Sequence, residues 1–290
     1  MKKLIKNFMS IYMYELEQYL NKYKKEEIKA VSFQSDEANT DRPLKEYLKK
    51  VMEKEIYSIP ENSTIQEIYD NNTHEYVDVS IERKILVKRV LLPEEIIGDI
   101  KETIANRKDG AYVNPDLCLE LFLDDKLIYE TIELKSTKSN AIPGSSVQQI
   151  LPDEWVIFVQ HRGDTINVSV GQYVNSITTK MQFPDRSPRP QVAFDTIKKW
   201  NTSHRIVCDN SIKYKIDDEI QTRRALVDDW QEVLAKRWVD IIFSKNNHGN
   251  REPWFNNNLR KFIILFLESY DNLTDTEKSG LKSNIMDLII

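Results

Sequence analysis

The sequence predicts an α/β (α+β) protein in which a mixed central β-sheet of about five strands is flanked by helices. Two runs of alternating character, Leu117 to Leu123 and Ile128 to Lys135, predict a pair of half-buried strands. The continuous apolar run Trp155 to Val159 predicts a strand covered on both faces. Stripes near a 3.6-residue period at both ends of the chain predict the helices.

From the N-terminus, Leu4, Phe8, Ile11, Tyr12, Leu16 and Leu20 form one apolar face of a helix expected over residues 3–30. The polar stretch Asp36 to Asp41 interrupts it. Pro43 then suits the first turn of a helix running to about Ile56, with Leu44, Leu48, Val51 and Met52 inward. Tyr76 to Ile81 and Lys84 to Val87 alternate like strands, and Pro93 to Asn106 has helical character. This part reads either as a DNA-facing insertion or as extension of the sheet. After the two central strands comes a loop, Ser136 to Ile150, rich in Ser, Asn, Gly and Pro. Ile166 to Val174 alternates again. From Arg223 onward Leu226, Trp230, Leu234, Trp238 and Ile241 recur at helical spacing, a stripe that suits a core or a subunit interface. We therefore expect a single domain over residues 1–290 with a helical subregion at about 220–290.

The central pair of runs carries the chemistry. In the first, Leu117, Leu119, Leu121 and Leu123 recur at every second position, and Asp124-Asp125-Lys126 is a turn. In the second, Ile128, Ile132 and Leu134 face one way, and Tyr129, Thr131, Glu133 and Lys135 the other. Glu133 and Lys135 thus share a face, about 6–7 Å apart along the strand. Asp116 opens the first strand after Pro115, and antiparallel pairing would set it beside Glu133. Mg²⁺ takes hard oxygen ligands, so Asp116 and Glu133 are candidate metal ligands, with waters and a phosphate completing the shell. Lys135 would orient or deprotonate the attacking water and stabilise developing charge.

Pro115-Asp116 followed by Glu133-Leu134-Lys135 resembles the PD-(D/E)xK signature of type II restriction endonucleases and related DNA nucleases. The Asn-Pro-Asp opening and the Lys-Ser-Thr ending resemble members that cut DNA to blunt or nearly blunt ends. The match covers about 25 residues, or about 50 if extended through Val159. Other acid-x-Lys triplets, at Glu27, Glu82, Asp99 and Asp124, and other Pro-Asp pairs, at Asp153 and Asp185, lack the strand context. The resemblance implies a restriction-endonuclease-like fold, catalytic residues Asp116, Glu133 and Lys135, and Mg²⁺ as cofactor. It also implies double-stranded DNA as partner, 5′-phosphate and 3′-hydroxyl products, and a homodimer matching the twofold symmetry of a palindromic site. Some members carry a further acid on the preceding helix, for which Glu37 and Glu46 are candidates, though each reads more readily as a cap or a solvated charge. For DNA contacts the sequence offers Ser136 and Lys138 after the motif, and Arg186 and Arg189 on the proline-stiffened loop Phe183 to Pro190. Alternatives of the same fold are a structure-specific or repair nuclease, and a DNA-binding module without catalysis.

Composition narrows the remaining classes. With 290 residues, 40% hydrophobic and 30% charged, the chain can bury a full core. A net charge of −5 argues against a basic coating protein but leaves room for a local basic cleft. Two cysteines, Cys118 in an alternating strand and Cys208, make no disulfide framework. Seven glycines supply no phosphate-binding loop, and His74, His161, His204 and His248 lack metal-ligand spacing. Lys6, Asn7 and Glu15 break the N-terminal apolar stretch, which argues against a signal peptide, and no run is long enough to cross a membrane. Cytoplasmic residence without membrane attachment is the expectation.

Overall fold

A computed structural model describes residues 1–32, 41–107, 115–144, 150–182, 189–216, 218–243 and 253–289. The chain opens with α1 (Lys2–Tyr23) and α2 (Lys25–Ser32) where one helix over 3–30 was expected. Lys24, at φ −120° and ψ 3°, makes the break, and its ammonium bridges Glu27 at 2.9 Å and Glu55 at 2.7 Å. Helix α3 (Asp41–Lys54) follows, with Pro43 in its first turn, where the missing N–H costs no hydrogen bond.

Strands β1 (Glu67–Asp70), β2 (Glu75–Asp78) and β3 (Leu86–Leu91) precede helix α4 (Gly98–Arg107). The motif hairpin is β4 (Leu117–Leu123) and β5 (Lys126–Thr137). Then come β6 (Ala141–Pro143), β7 (Trp155–Arg162), β8 (Thr165–Gln172), β9 (Ile177–Gln182) and β10 (Arg189–Ala193). Helix α5 (Phe194–His204) leads into β11 (Arg205–Cys208), β12 (Ser211–Tyr214) and α6 (Asp218–Asp228). The end of the chain is α7 (Trp230–Phe243), α8 (Pro253–Asp271) and α9 (Asp275–Asp287).

The central sheet has five strands in the order β3-β4-β5-β7-β8 and is mixed as expected. Its pairs are antiparallel except β5 with β7, which run parallel. Two smaller sheets, β11-β12-β1-β2 and β6-β10-β9, were not foreseen. They join short segments far apart in sequence, such as β1 and β12, whose pairing no local pattern announces. The stretch read as an insertion or a sheet extension thus divides, with β1 and β2 in a second sheet and β3 at the edge of the central one.

One face of the central sheet carries Leu117, Leu119, Ile132, Leu134, Ile157 and Val159, which share a core with Phe8, Tyr12, Leu16 and Leu20 of α1 and Leu48 of α3. Each such side chain contributes roughly 1.5–3 kcal/mol by leaving water. A buried ion pair fixes α1 to this layer: Glu17 accepts from the Val170 N–H at 2.5 Å and from Arg205 Nη2 at 2.5 Å. On the opposite face Phe158 meets Phe194 of α5, with ring centroids 5.7 Å apart and planes nearly perpendicular.

The chain forms two compact units, Met1–Asp228 and Asp229–Ile290, where a single domain with a helical subregion from about 220 was expected. Helix α6 falls in the first unit, so the apolar stripe drawn through Leu226 and Trp230 spans a unit boundary. No helix among the described residues is long and apolar enough to cross a membrane.

Candidate active site

The β4–β5 hairpin turns at Asp124 and Asp125, both with positive φ (46° and 61°). Two left-handed residues are what a two-residue type I′ turn needs, and its twist matches the strands it joins. The turn sets the register: Leu117 lies opposite Ile132, and Cys118 opposite Thr131. The pairing ends there, one residue short of Asp116 on β4 and of Glu133 on β5.

Asp116 has a second task that the sequence did not reveal. Its Oδ2 accepts a hydrogen bond from the Leu134 backbone N–H at 2.8 Å, so the carboxylate takes up a ladder donor of β5 just beyond the start of β4. Its Oδ1 is 2.6 Å from Lys45 Nζ, and both side chains are only 17% exposed. On the neighbouring strand residue, Lys135 Nζ donates to Glu133 Oε1 at 2.6 Å. Each of the two carboxylates is thus matched by an ammonium, which removes the repulsion that bare clustered carboxylates would suffer.

The parallel register with β7 fixes the faces. Glu133 lies beside Val156 and Lys135 beside Phe158, on the side that packs towards α5. Ser136 lies beside Val159 and points the other way, against its expected place with Lys135 at a phosphate. The period-two rule already demands this, since adjacent strand residues face opposite sides. Ser136 Oγ is 3.1 Å from His161 Nε2 instead. Burial, and secondarily the charge of Lys138, hold the His161 imidazole below its ordinary pKa. Lys138 itself is exposed beyond the end of β5.

Of the remaining candidates, Glu46 is directed away from the site, with its Oε1 2.8 Å from Arg42 Nε and both side chains exposed. The helix residue at Asp116 is its neighbour Lys45. Glu37 and Arg186 lie outside the described residues. Arg189 opens β10 and pairs through its backbone with Gln182, and its side chain is outside the described set. Lys45 carried a readable signal: it sits one residue after Leu44 on the flank of the buried stripe, as does Lys49, which reaches Glu95 at 2.7 Å. A lysine in that position covers apolar surface with its stem and delivers its charge to the sheet edge.

Among the described residues no group of three or more His, Cys, Asp or Glu is placed to hold a metal. Two carboxylates are sufficient for Mg²⁺, which keeps several waters, and too few for a tetrahedral zinc site built from protein ligands. Comparison with protein-family models, with curated proteins and with solved structures finds no match.

Proposed function

We propose that the chain is a Mg²⁺-dependent endonuclease of the PD-(D/E)xK type, with a restriction-endonuclease-like core. It cuts double-stranded DNA at specific sequences and leaves 5′-phosphate and 3′-hydroxyl ends. The observation that supports this reading is the hairpin contact in which Asp116 accepts from the N–H of Leu134, the residue between Glu133 and Lys135 on a mixed sheet. Asp116 and Glu133 are the residues that would hold Mg²⁺. When bound, the ion neutralises charge on the phosphate oxygens and lowers the pKa of a water. Lys135, at hydrogen-bond distance from Glu133, is placed to orient that water and to accept or return its proton. Lys45 acts through Asp116 and is a positioning residue.

A homodimer completes the reading, one site for each strand of a twofold-symmetric duplex. The N-terminal helix, one of two candidate contacts, spends its apolar face on the core of its own unit and offers mainly its lysine-rich face outward. The C-terminal unit fits better. Phe262, Ile264, Leu265 and Leu267 of α8 are 50–62% exposed, and they surround the helix on several sides. A contiguous exposed apolar run of this kind suits a protein interface. Exposed apolar side chains on α7 (Val239, Phe243) and α9 (Ile285, Met286) belong to the same unit.

A second reading is favoured by one observation. Lys45 and Lys135 already satisfy both carboxylates, and Asp116 also ties down β5, as in a DNA-binding module that kept the fold without catalysis. Incubation with Mg²⁺ and a long natural DNA separates the readings. Discrete fragments support the specific endonuclease, a smear supports a nuclease without sequence preference, and intact DNA supports the inert module.

A further inference from the structure

The C-terminal unit, Asp229–Ile290, has little core of its own. Among its described residues only Leu234 of α7 is buried. A unit this small, with so little apolar area removed from water, gains too little to offset the entropy of ordering its chain. Its apolar side chains lie on the outside instead, with Phe262, Leu265 and Leu267 of α8 50–62% exposed. The two sides of α8 differ. Leu259, Arg260, Ile263 and Tyr270 are partly covered, and on this side Arg260 Nη2 donates to the Ile241 carbonyl of α7 at 3.2 Å. At about 3.6 residues per turn, the opposite side is centred on Leu265 and carries Lys261, Phe262 and Glu268, all exposed.

The charges on that open side have an order. Lys261 stands four residues before Leu265 and Glu268 three after it, on the same flank of the helix. A sequence of lysine, apolar centre and glutamate becomes its own complement when reversed. A second copy of α8, run antiparallel about a twofold axis near Leu265, sets each Lys261 against Glu268 of the copy and Leu265 against Leu265. A parallel copy would set lysine against lysine and glutamate against glutamate, so charge selects the antiparallel orientation. The seven-residue separation is a rise of about 10 Å, which places the two ion pairs on either side of the apolar contact.

We infer that the C-terminal units of two copies associate through an antiparallel, twofold-symmetric α8–α8 seam centred on Leu265, with Lys261 of each copy paired to Glu268 of the other. The inference rests on the homodimer proposed above, to which it adds a seam, an orientation and a register. It does not rest on the site at Asp116. Self-complementary charge is what singles out a second copy, since a different protein would have to reproduce the same order of charges to match this face.

Analytical ultracentrifugation of the full chain, without DNA or Mg²⁺, tests the seam. The wild type is expected to dimerise. Lys261→Glu turns both pairs into glutamate facing glutamate, and Glu268→Lys turns both into lysine facing lysine. Each single variant is expected to weaken dimerisation by about tenfold or more. The double variant Lys261→Glu/Glu268→Lys restores opposite charges and is expected to dimerise as the wild type does. An equimolar mixture of the two single variants also restores both pairs and is expected to form dimers holding one chain of each. A monomeric wild type would overturn the seam. So would single variants as tight as the wild type, the result a parallel seam gives, or a double variant no tighter than the single ones. The outcome is separable from that of the nuclease reading. A monomeric chain that cleaves DNA would overturn the seam alone, and a dimer with this charge pattern that leaves DNA intact would overturn the nuclease alone.

Discussion

Replacing Asp116 separates its structural task from its proposed catalytic one. Asp116→Ala removes the acceptor of the Leu134 N–H and the partner of Lys45. A lost hydrogen bond to a charged group costs about 1.5–3 kcal/mol. The Lys45 pair is mostly buried, so its contribution is at or above the ~0–1 kcal/mol of a surface pair. The expected destabilisation in metal-free buffer is therefore about 2–4 kcal/mol. Asp116→Asn keeps an oxygen for the Leu134 N–H and loses only the charge, so its expected cost is nearer ~1 kcal/mol. Both variants should lose cleavage, because a neutral amide is a poor ligand for Mg²⁺ and alanine is none. Urea unfolding with and without Mg²⁺ measures the first effect, and cleavage of a natural DNA the second. At a Mg²⁺ concentration ten times its Kd, the wild type should gain about 1.4 kcal/mol, and both variants should gain less. Equal stability of the Ala and Asn variants would refute the ladder role. Near-normal cleavage by either would refute the metal role.

Lys135→Ala is expected to slow single-turnover cleavage by about 10²-fold or more, and Lys135→Arg should not restore it, since a guanidinium stays protonated and cannot relay a proton; an Arg variant at wild-type rate would reduce Lys135 to a phosphate contact. For His161, the folded pKa is depressed, so the unfolded chain binds more protons as pH falls below about 6.5, and stability should drop through that window. Urea midpoints measured from neutral to acid pH should show a flatter slope for His161→Gln. Light scattering should find a dimer for the wild type and a monomer for Phe262→Glu/Leu265→Glu; a monomeric wild type would remove the C-terminal unit as the contact.

The parts of this architecture set by neighbouring residues were readable from the sequence. The motif hairpin follows from period-two alternation and a polar turn, although Lys126, expected in the turn with Asp124 and Asp125, already opens β5 opposite Leu123. The buried strand β7 was visible from the unbroken apolar run Trp155 to Val159 because both its faces are covered. Readability failed where distant segments decide the outcome. Nothing in β1 or β12 alone announces their parallel pairing, and nothing in Asp116 announces Lys45, which lies 71 residues earlier (116 − 45). Ser136 is a different failure. Sequence adjacency to Lys135 was read as spatial adjacency, although a strand sends neighbours to opposite faces. The break at Lys24 escaped notice because it falls among polar residues, where the apolar stripe has no member to lose.

Charge balance links the two readings of the motif. Asp116 and Glu133 bring two negative charges, and Lys45 and Lys135 bring two positive ones, so the four side chains together are neutral. A neutral, internally paired group has little reason to draw a phosphodiester towards it. Once a divalent cation is held by the two carboxylates, the same group carries an excess of two positive charges, and the lysines no longer have to neutralise the acids. Two ammonium groups are then available to a phosphate or a water at a place where, in the pairing described here, they are not. The lysine pairs that favour an inert module are therefore equally compatible with a metal-dependent site. What distinguishes the two is whether the carboxylates give up their lysines to Mg²⁺. That exchange is favoured by the higher charge of the ion and by a second carboxylate on Glu133, next to Leu134 in β5, and opposed by the hydrogen bond that holds Asp116 to the Leu134 backbone.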